Sequence, residues 1–248
     1  MNNTKKKSPI SWVPTAYFAM GLPFVVLNMV TVLMFKGLEV DDKLITFWTS
    51  LILLPWTLKP LWSPFLELFR TKKFFVIVTQ LITGVTFGLV AFALNLSHFF
   101  SISIALLAIV AFSGATHDIA CDGVYMSELS NEDQAKFIGW QGAFYNIAKI
   151  LATGGLVYLA GYFIELNADA GLLTANKRAW MIILLILSVT MILLGIYHLF
   201  ALPSTQSASS KKTLRSNKEV MKELGQVLMD FFRKTHITYY IWFIILYR

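Results

Sequence analysis

The chain has 248 residues, 56% hydrophobic and 14% charged, where a soluble domain carries roughly 45–50% and about 25%. A soluble globule of this length has no interior large enough for that apolar content, and the apolar residues fall in runs of about 20 split by short polar stretches, the bilayer pattern. The net charge of +7 reports topology in such a chain and not a nucleic-acid partner, while the single cysteine, Cys121, excludes an internal disulfide.

In chain order, residues 1–11 form a basic amino-terminal segment with Lys5, Lys6 and Lys7. The apolar stretch behind it is too long for a signal peptide, contains Pro14 and Pro23 and lacks a small-residue cleavage site, so it reads as a retained first span. Six segments have transmembrane length, 12–35, 44–66, 74–94, 99–120, 137–163 and 180–202, which makes 12–202 a six-helix bundle. Pro203 stops the sixth, and a Ser-rich stretch and a basic amphipathic run follow, with Val220, Met221, Leu224, Val227 and Leu228 at helical spacing. Residues 203–236 read as a cytoplasmic central loop whose basic helix lies on anionic lipid, or alternatively as a regulatory, calmodulin-like target. The apolar 237–248 is half the length needed to cross and reads as the start of a seventh helix in a longer chain. The fold class is thus all-α, a polytopic membrane protein.

With the amino terminus inside, the cytoplasmic side receives Lys5 to Lys7, then Arg70, Lys72 and Lys73, then Lys136, and then the basic residues of the central loop. The opposite side receives only Lys36, Lys43, Lys177 and Arg178. This bias places both ends of the bundle in the cytoplasm.

A charge at mid-bilayer costs at least about 2.5–3.5 kcal/mol on insertion scales, so Lys59, Asp118, Asp122 and Lys149 each need a reason. Asp118 and Asp122 lie four apart in the run Ser113 to Gly123, so on a helix both carboxylates share one face. Their repulsion in a poorly hydrated site is the arrangement that lets one carry a proton near neutral pH. The alternative is that Gly123 ends the helix, leaving Asp122 in water and Asp118 in a structural pair. Lys59, flanked by Pro55, Pro60 and Pro64, sits about 10 Å from the cytoplasmic end of the second span, at a depth similar to Asp118. It either snorkels to the headgroups or neutralises Asp118, and the prolines imply an irregular helix shielded from lipid. Lys149 lies deep in the fifth span, facing a hydrated cavity and an anionic solute, or a buried partner. Asn28, Gln141 and Asn146 either line the same cavity or bond between helices. His98 and His198 read as interfacial, and His117, beside Asp118, is the one candidate for proton relay.

Gly84 with Gly88, and on the fifth span Gly139, Gly142, Gly154, Gly155 and Gly161, suggest close helix packing, or the sliding surface of a moving transporter. No phosphate-cradling loop, nucleophile elbow or metal-ligand pair occurs, so no enzyme, cofactor or metal site is expected.

Gly21-Leu22-Pro23, the run Leu54 to Pro64, and Ala115 to Gly123 followed by Glu128 together resemble the muropeptide permease (AmpG-type) branch of the major facilitator superfamily, to which an acetyl-CoA transporter group is related. The resemblance covers the chain as the amino-terminal half of such a transporter. It implies two six-helix bundles, a central cavity, alternating access and proton coupling, in the bacterial inner membrane, with Asp118, Asp122, Lys59 and Lys149 as the positions to test. The superfamily's usual loop between spans two and three is recognisable only in Glu67, Arg70, Lys72 and Lys73. The expected function is proton-driven import of a polar, anionic or neutral solute such as a muropeptide, with membrane lipids, protons and a carboxy-terminal bundle as partners and no nucleic acid. The alternative is a non-transporting membrane protein or scaffold whose basic segment binds lipid or a partner.

Overall fold

The computed structural model describes residues 7–63, 66 and 71–203, and beyond them 225, 226, 229, 230, 233–239, 242 and 243. Among these the chain is all-helical, and six helices are long and apolar enough to cross a membrane. They are α1 Pro9–Gly37, α2 Asp42–Leu61, α3 Lys72–Ala93, α4 Phe99–Glu128, α5 Asn131–Leu166 and α6 Leu172–Ala201. The expected central loop and seventh helix lie mostly outside the described residues, as do Pro64, Glu67 and Arg70.

The helices start where side chains satisfy the free amides of a first turn. Asp41 accepts from the amides of Lys43 and Leu44, Thr71 from that of Phe74, and Ser130 from that of Asp133. The Ser130 cap, with Glu132 and Asp133 in the first turn, starts α5 at Asn131, ahead of the apolar run. Gly171, with φ of 84°, leads into α6 so early that Lys177 and Arg178 lie within the helix and not in a loop.

Of the alternative reading around Gly123, the exposed Asp122 and the paired Asp118 are found but the helix stop is not. Gly123 does not end the fourth helix, which runs on to Glu128. The glycine leaves room for Lys72 to cross α4, since a Cβ there would lie 2.7 Å from the Lys72 Cδ. Asp122 is therefore a mid-helix residue.

Helix α3 packs between α4 and α6, α1 against α5, α4 and α6, α5 against α6, and α2 against α4 and α1. At Gly84 the α3 and α6 backbones come so close that a Cβ would meet the Ser188 carbonyl oxygen at 2.9 Å and Ile192 Cγ1 at 2.7 Å. Between α3 and α4 the Thr83 hydroxyl donates to Ser113 Oγ at 3.0 Å, and Ser113 donates to the Thr79 carbonyl at 2.8 Å. The glycines of α5 behave differently: nothing lies within 4 Å of a Cβ at Gly139, Gly142, Gly154 or Gly161. They are not a packing seam among the described residues.

Two helices widen. Pro23 leaves the Ala19 carbonyl without its amide donor, and α1 opens three residues later into a π-helical segment, Val26–Val30. α5 does the same at Leu151–Leu156, and the two wide segments touch. Burial is uneven as well: 67% of the α1 window is buried, against 17% in α2 and 22% in α5. The open sides of α3 and α6 are apolar, with Ile82, Val85, Leu89, Val189 and Leu193. Those of α1, α4 and α5 carry Asn28, Asp122, Asn146 and Lys149 among apolar residues such as Met29, Phe112, Ile147 and Ile150.

Candidate membrane-embedded polar site

Asp118 is buried on α4, and its Oδ2 receives two donors, both from α2: Lys59 Nζ at 2.7 Å and Trp56 Nε1 at 2.9 Å. The local sequence builds this contact. Pro55 breaks α2 after Ile52, and Pro60 tightens it into a 3-10 turn over Lys59–Leu61, which turns Trp56 and Lys59 to the same neighbour. Trp56 is wedged between α1 and α4: its ring meets Phe24 edge-on at 5.1 Å, and its benzo edge occupies the space a Cβ on Gly114 would fill, 2.8 Å from Cζ2. Lys59 thus reaches Asp118 instead of the headgroups. The second oxygen, Oδ1, is buried and has no hydrogen-bond partner among the described residues.

Four residues on, Asp122 is on the open side of α4 and accepts from the Tyr17 hydroxyl of α1 at 2.8 Å. The carboxylates share a side of α4 but answer to different helices, Asp118 to α2 and Asp122 to α1. A lysine, a tryptophan and a tyrosine therefore hold two acidic groups that lipid alone could not solvate.

His117 points elsewhere. Its Nε2 lies 2.9 Å from the carboxamide of Gln80 on α3, the same carboxamide lies 2.8 Å from Nδ1 of His198 on α6, and His198 Nε2 lies 2.9 Å from Thr15 Oγ1 on α1. Thr15 continues to the Trp12 carbonyl at 3.2 Å. This chain ties four helices together in the interior: Gln80 and His198 are both 0% exposed. His198 is thus buried within the bundle, in the last turn of its helix. The carboxy-terminal end of α6 is covered by the start of α1, where Tyr197 donates to the Ser11 carbonyl and Lys7 to that of Phe200.

Sequence reasoning missed Trp56, Tyr17, Thr15, Gln80 and His198. Gln80 carries a signal of the kind applied to Lys149: it is the one amide in the third span, whose other polar side chains are threonines, and an amide at membrane depth requires partners. The remaining candidates do not join this cluster. Asn28 lies in the wide segment of α1, Lys149 stands just before that of α5, and both are exposed. Asn146 is exposed and donates to the Gly142 carbonyl of its own helix at 2.8 Å. Gln141 is partly buried near the Tyr125 hydroxyl. No group of three or more metal-ligating side chains occurs among the described residues. Compared with protein-family models, curated proteins and solved structures, the chain finds no match.

Proposed function

We propose that this chain is half of a secondary active transporter, proton-coupled, that imports a polar solute by alternating access. The observation that carries the reading is the Lys59–Asp118 ion pair, held at 2.7 Å between α2, the least buried helix, and α4, which also packs on α1 and α3. A proton arriving at Asp118 neutralises the carboxylate, removes the charge that holds Lys59, and frees both an ammonium group and the α2 helix that carries it. Loss of the proton restores the pair. Proton occupancy is thereby tied to a helix position, which is what coupling requires.

Two further features support this. The open side of α1, α4 and α5 carries Asn28, Asp122, Asn146 and Lys149, groups suited to a watery path and an anionic solute and unsuited to lipid. A second six-helix bundle facing that side would enclose such a path. The packing also has the logic of two inverted three-helix repeats. Exchanging α1 with α4, α2 with α5 and α3 with α6 converts the α1–α5 contact into α4–α2 and the α3–α4 contact into α6–α1, and leaves α3–α6 and α1–α4 unchanged; the α5–α6 and α1–α2 contacts fall outside this correspondence.

The motifs around Trp56 and Asp118 make the muropeptide permease branch the first place to look for the solute and a bacterial inner membrane the setting to test, and the charge bias supports an amino terminus on the cytoplasmic side. The test is uptake into proteoliposomes under an imposed pH gradient, with a panel of muropeptides. Gradient-dependent accumulation that Asp118→Asn abolishes is the expected result. Absence of uptake, with melting unmoved by any solute, would overturn it in favour of a non-transporting membrane protein.

A further inference from the structure

Among the described residues two of the six spans, α1 and α5, contain a wide π-helical segment, Val26–Val30 in the first and Leu151–Leu156 in the second. Such a segment takes in one residue more than a regular helix uses over the same length. At each, a threonine hydroxyl donates back to the carbonyl four residues earlier, Thr31 to Leu27 at 2.7 Å and Thr153 to Lys149 at 2.8 Å. α5 shows what the extra residue does. Its buried positions Ala148, Ala152, Leu156 and Ala160 recur at every fourth residue, while Leu151, Gly154, Tyr158 and Gly161 between and beyond them are exposed. At about 100° per residue a regular helix would carry Ala160 about 120° round from Ala148, off the buried face. One residue in excess cancels about 100° of that drift.

Both segments also mark a change of partner. The first half of α5, Asn131–Ile150, packs on the first half of α1, Val13–Val25. There a Cβ on Gly21 would meet the Tyr145 carbonyl oxygen at 2.9 Å and the Ala148 Cβ at 3.3 Å. The second half of α5, Val157–Leu166, packs on α6, and the second half of α1, Thr31–Gly37, packs on α2 and α6. The two wide segments touch where these seams part. We propose that they form one joint, at which the second halves of α1 and α5 tilt against their first halves. A wide turn interrupts the regular hydrogen-bond ladder that stiffens a helix, and because the segments abut, each can yield with the other. The first halves are locked at Gly21, whereas a Cβ on Gly154 or Gly161 meets nothing within 4 Å, which leaves the second half of α5 room on its open side.

Removing the excess residue tests this in the whole chain reconstituted in lipid. Deletion of Gly154 should close Leu151–Leu156 into a regular helix with its buried face kept, so that Tm stays within about 3 °C of the unaltered chain and amide exchange over 151–156 slows several-fold. Deletion of Ala143, also exposed but in a regular stretch, turns Lys149 to the place where Ala148 meets Gly21 and should lower Tm by more than about 10 °C. A Gly154 deletion that melts as low as the Ala143 deletion, or leaves exchange unchanged, overturns the extra residue. Spin labels on Ile138→Cys and Tyr158→Cys, with Cys121→Ser, read the joint itself: the distance distribution should be broad in the unaltered helix and narrow without Gly154, and equal widths overturn the joint. A role in transport rests on the reading above. Deletion of Gly154 should then lower uptake at least about ten-fold, and unchanged uptake overturns that role. If the unaltered chain transports nothing, the transport reading fails while exchange and distance still decide the joint.

Discussion

Neutralising Asp118 is the most direct probe of the ion pair, and its size follows from the geometry. Opposite charges 2.7 Å apart attract by about 6 kcal/mol at an effective dielectric of 20. Most of that is offset by the water both groups have given up, but Asp118→Asn removes only the attraction and leaves the Lys59 ammonium in place. The Lys59 side chain is 29% exposed, so some of its charge is relieved by solvent, and the net loss should be about 3 kcal/mol, at the lower end for a broken buried pair. On the scale of a 150–250-residue chain this is a fall in Tm of about 6–12 °C. Lys59→Met should cost a similar amount for the converse reason, while the double variant, with neither charge, should recover most of the loss. The assay is a double-mutant cycle read by thermal unfolding in one detergent. A coupling energy below about 0.5 kcal/mol would refute the reasoning, because it would make the contact no stronger than an exposed surface pair.

Three other outcomes follow from the same structure. Gly84→Ala places a methyl group against the α6 backbone and should destabilise the bundle by about 1–3 kcal/mol, whereas Gly161→Ala, which meets nothing within 4 Å, should be neutral or stabilise by up to about 1 kcal/mol; equal Tm shifts would contradict the packing. Cys121 is only 1% exposed, so the unaltered chain should react slowly with a membrane-impermeant maleimide. Cysteines placed at Asn28, Asn146 and Lys149 should label in liposomes and those at Leu89 and Leu193 should not; labelling of both sets alike would remove the argument for a hydrated side. Tyr17→Phe removes the hydroxyl that meets Asp122 and should cost about 1–2 kcal/mol by thermal unfolding, a loss that Asp122→Asn alone should largely reproduce and that the pair of changes should not double.

Hydropathy made the six spans legible because the bilayer imposes a length that no packing detail overrides. Depth did the same for Lys59 and Asp118: counting residues from the ends of two neighbouring spans puts both near one level, and the structure joins them. Where hydropathy falls, it misleads. The first turn of α5 and the second turn of α6 are polar, so α5 begins at Asn131 by virtue of Ser130, and Lys177 and Arg178 sit on helix ahead of the long apolar run. Glycine is legible only as a possibility. Gly84 is a packing seam, Gly123 is a passage for Lys72, and Gly161 faces open space, a difference set by the neighbour and not by the residue. The place of His198 near the end of a span predicts exposure to the interface, but the start of α1 folds over that end.

Adjacent residues on α4 look in different directions, and this sets how the bundle can move. Successive side chains on a helix diverge by about 100°, so Asp118 meets α2 while His117 meets Gln80 on α3 and, through it, α6 and α1. The His117 side belongs to the densest part of the molecule, with Gly84 pressed on α6 and Thr83 bonded to Ser113. The Asp118 side belongs to the sparsest, because α2 has 17% of its window buried and breaks at two prolines. Removing the charge on Asp118 therefore loosens α2 and leaves α1, α3, α4 and α6 tied by the histidine chain. A change of proton occupancy at one carboxylate would move one helix against a fixed frame, which is a smaller and more reversible motion than rearranging the bundle. Asp118→Asn should accordingly raise amide exchange along α2 while exchange in α3 and α6 stays at its native level, and a uniform rise across all six helices would show that the pair holds the whole bundle together and not one helix to it.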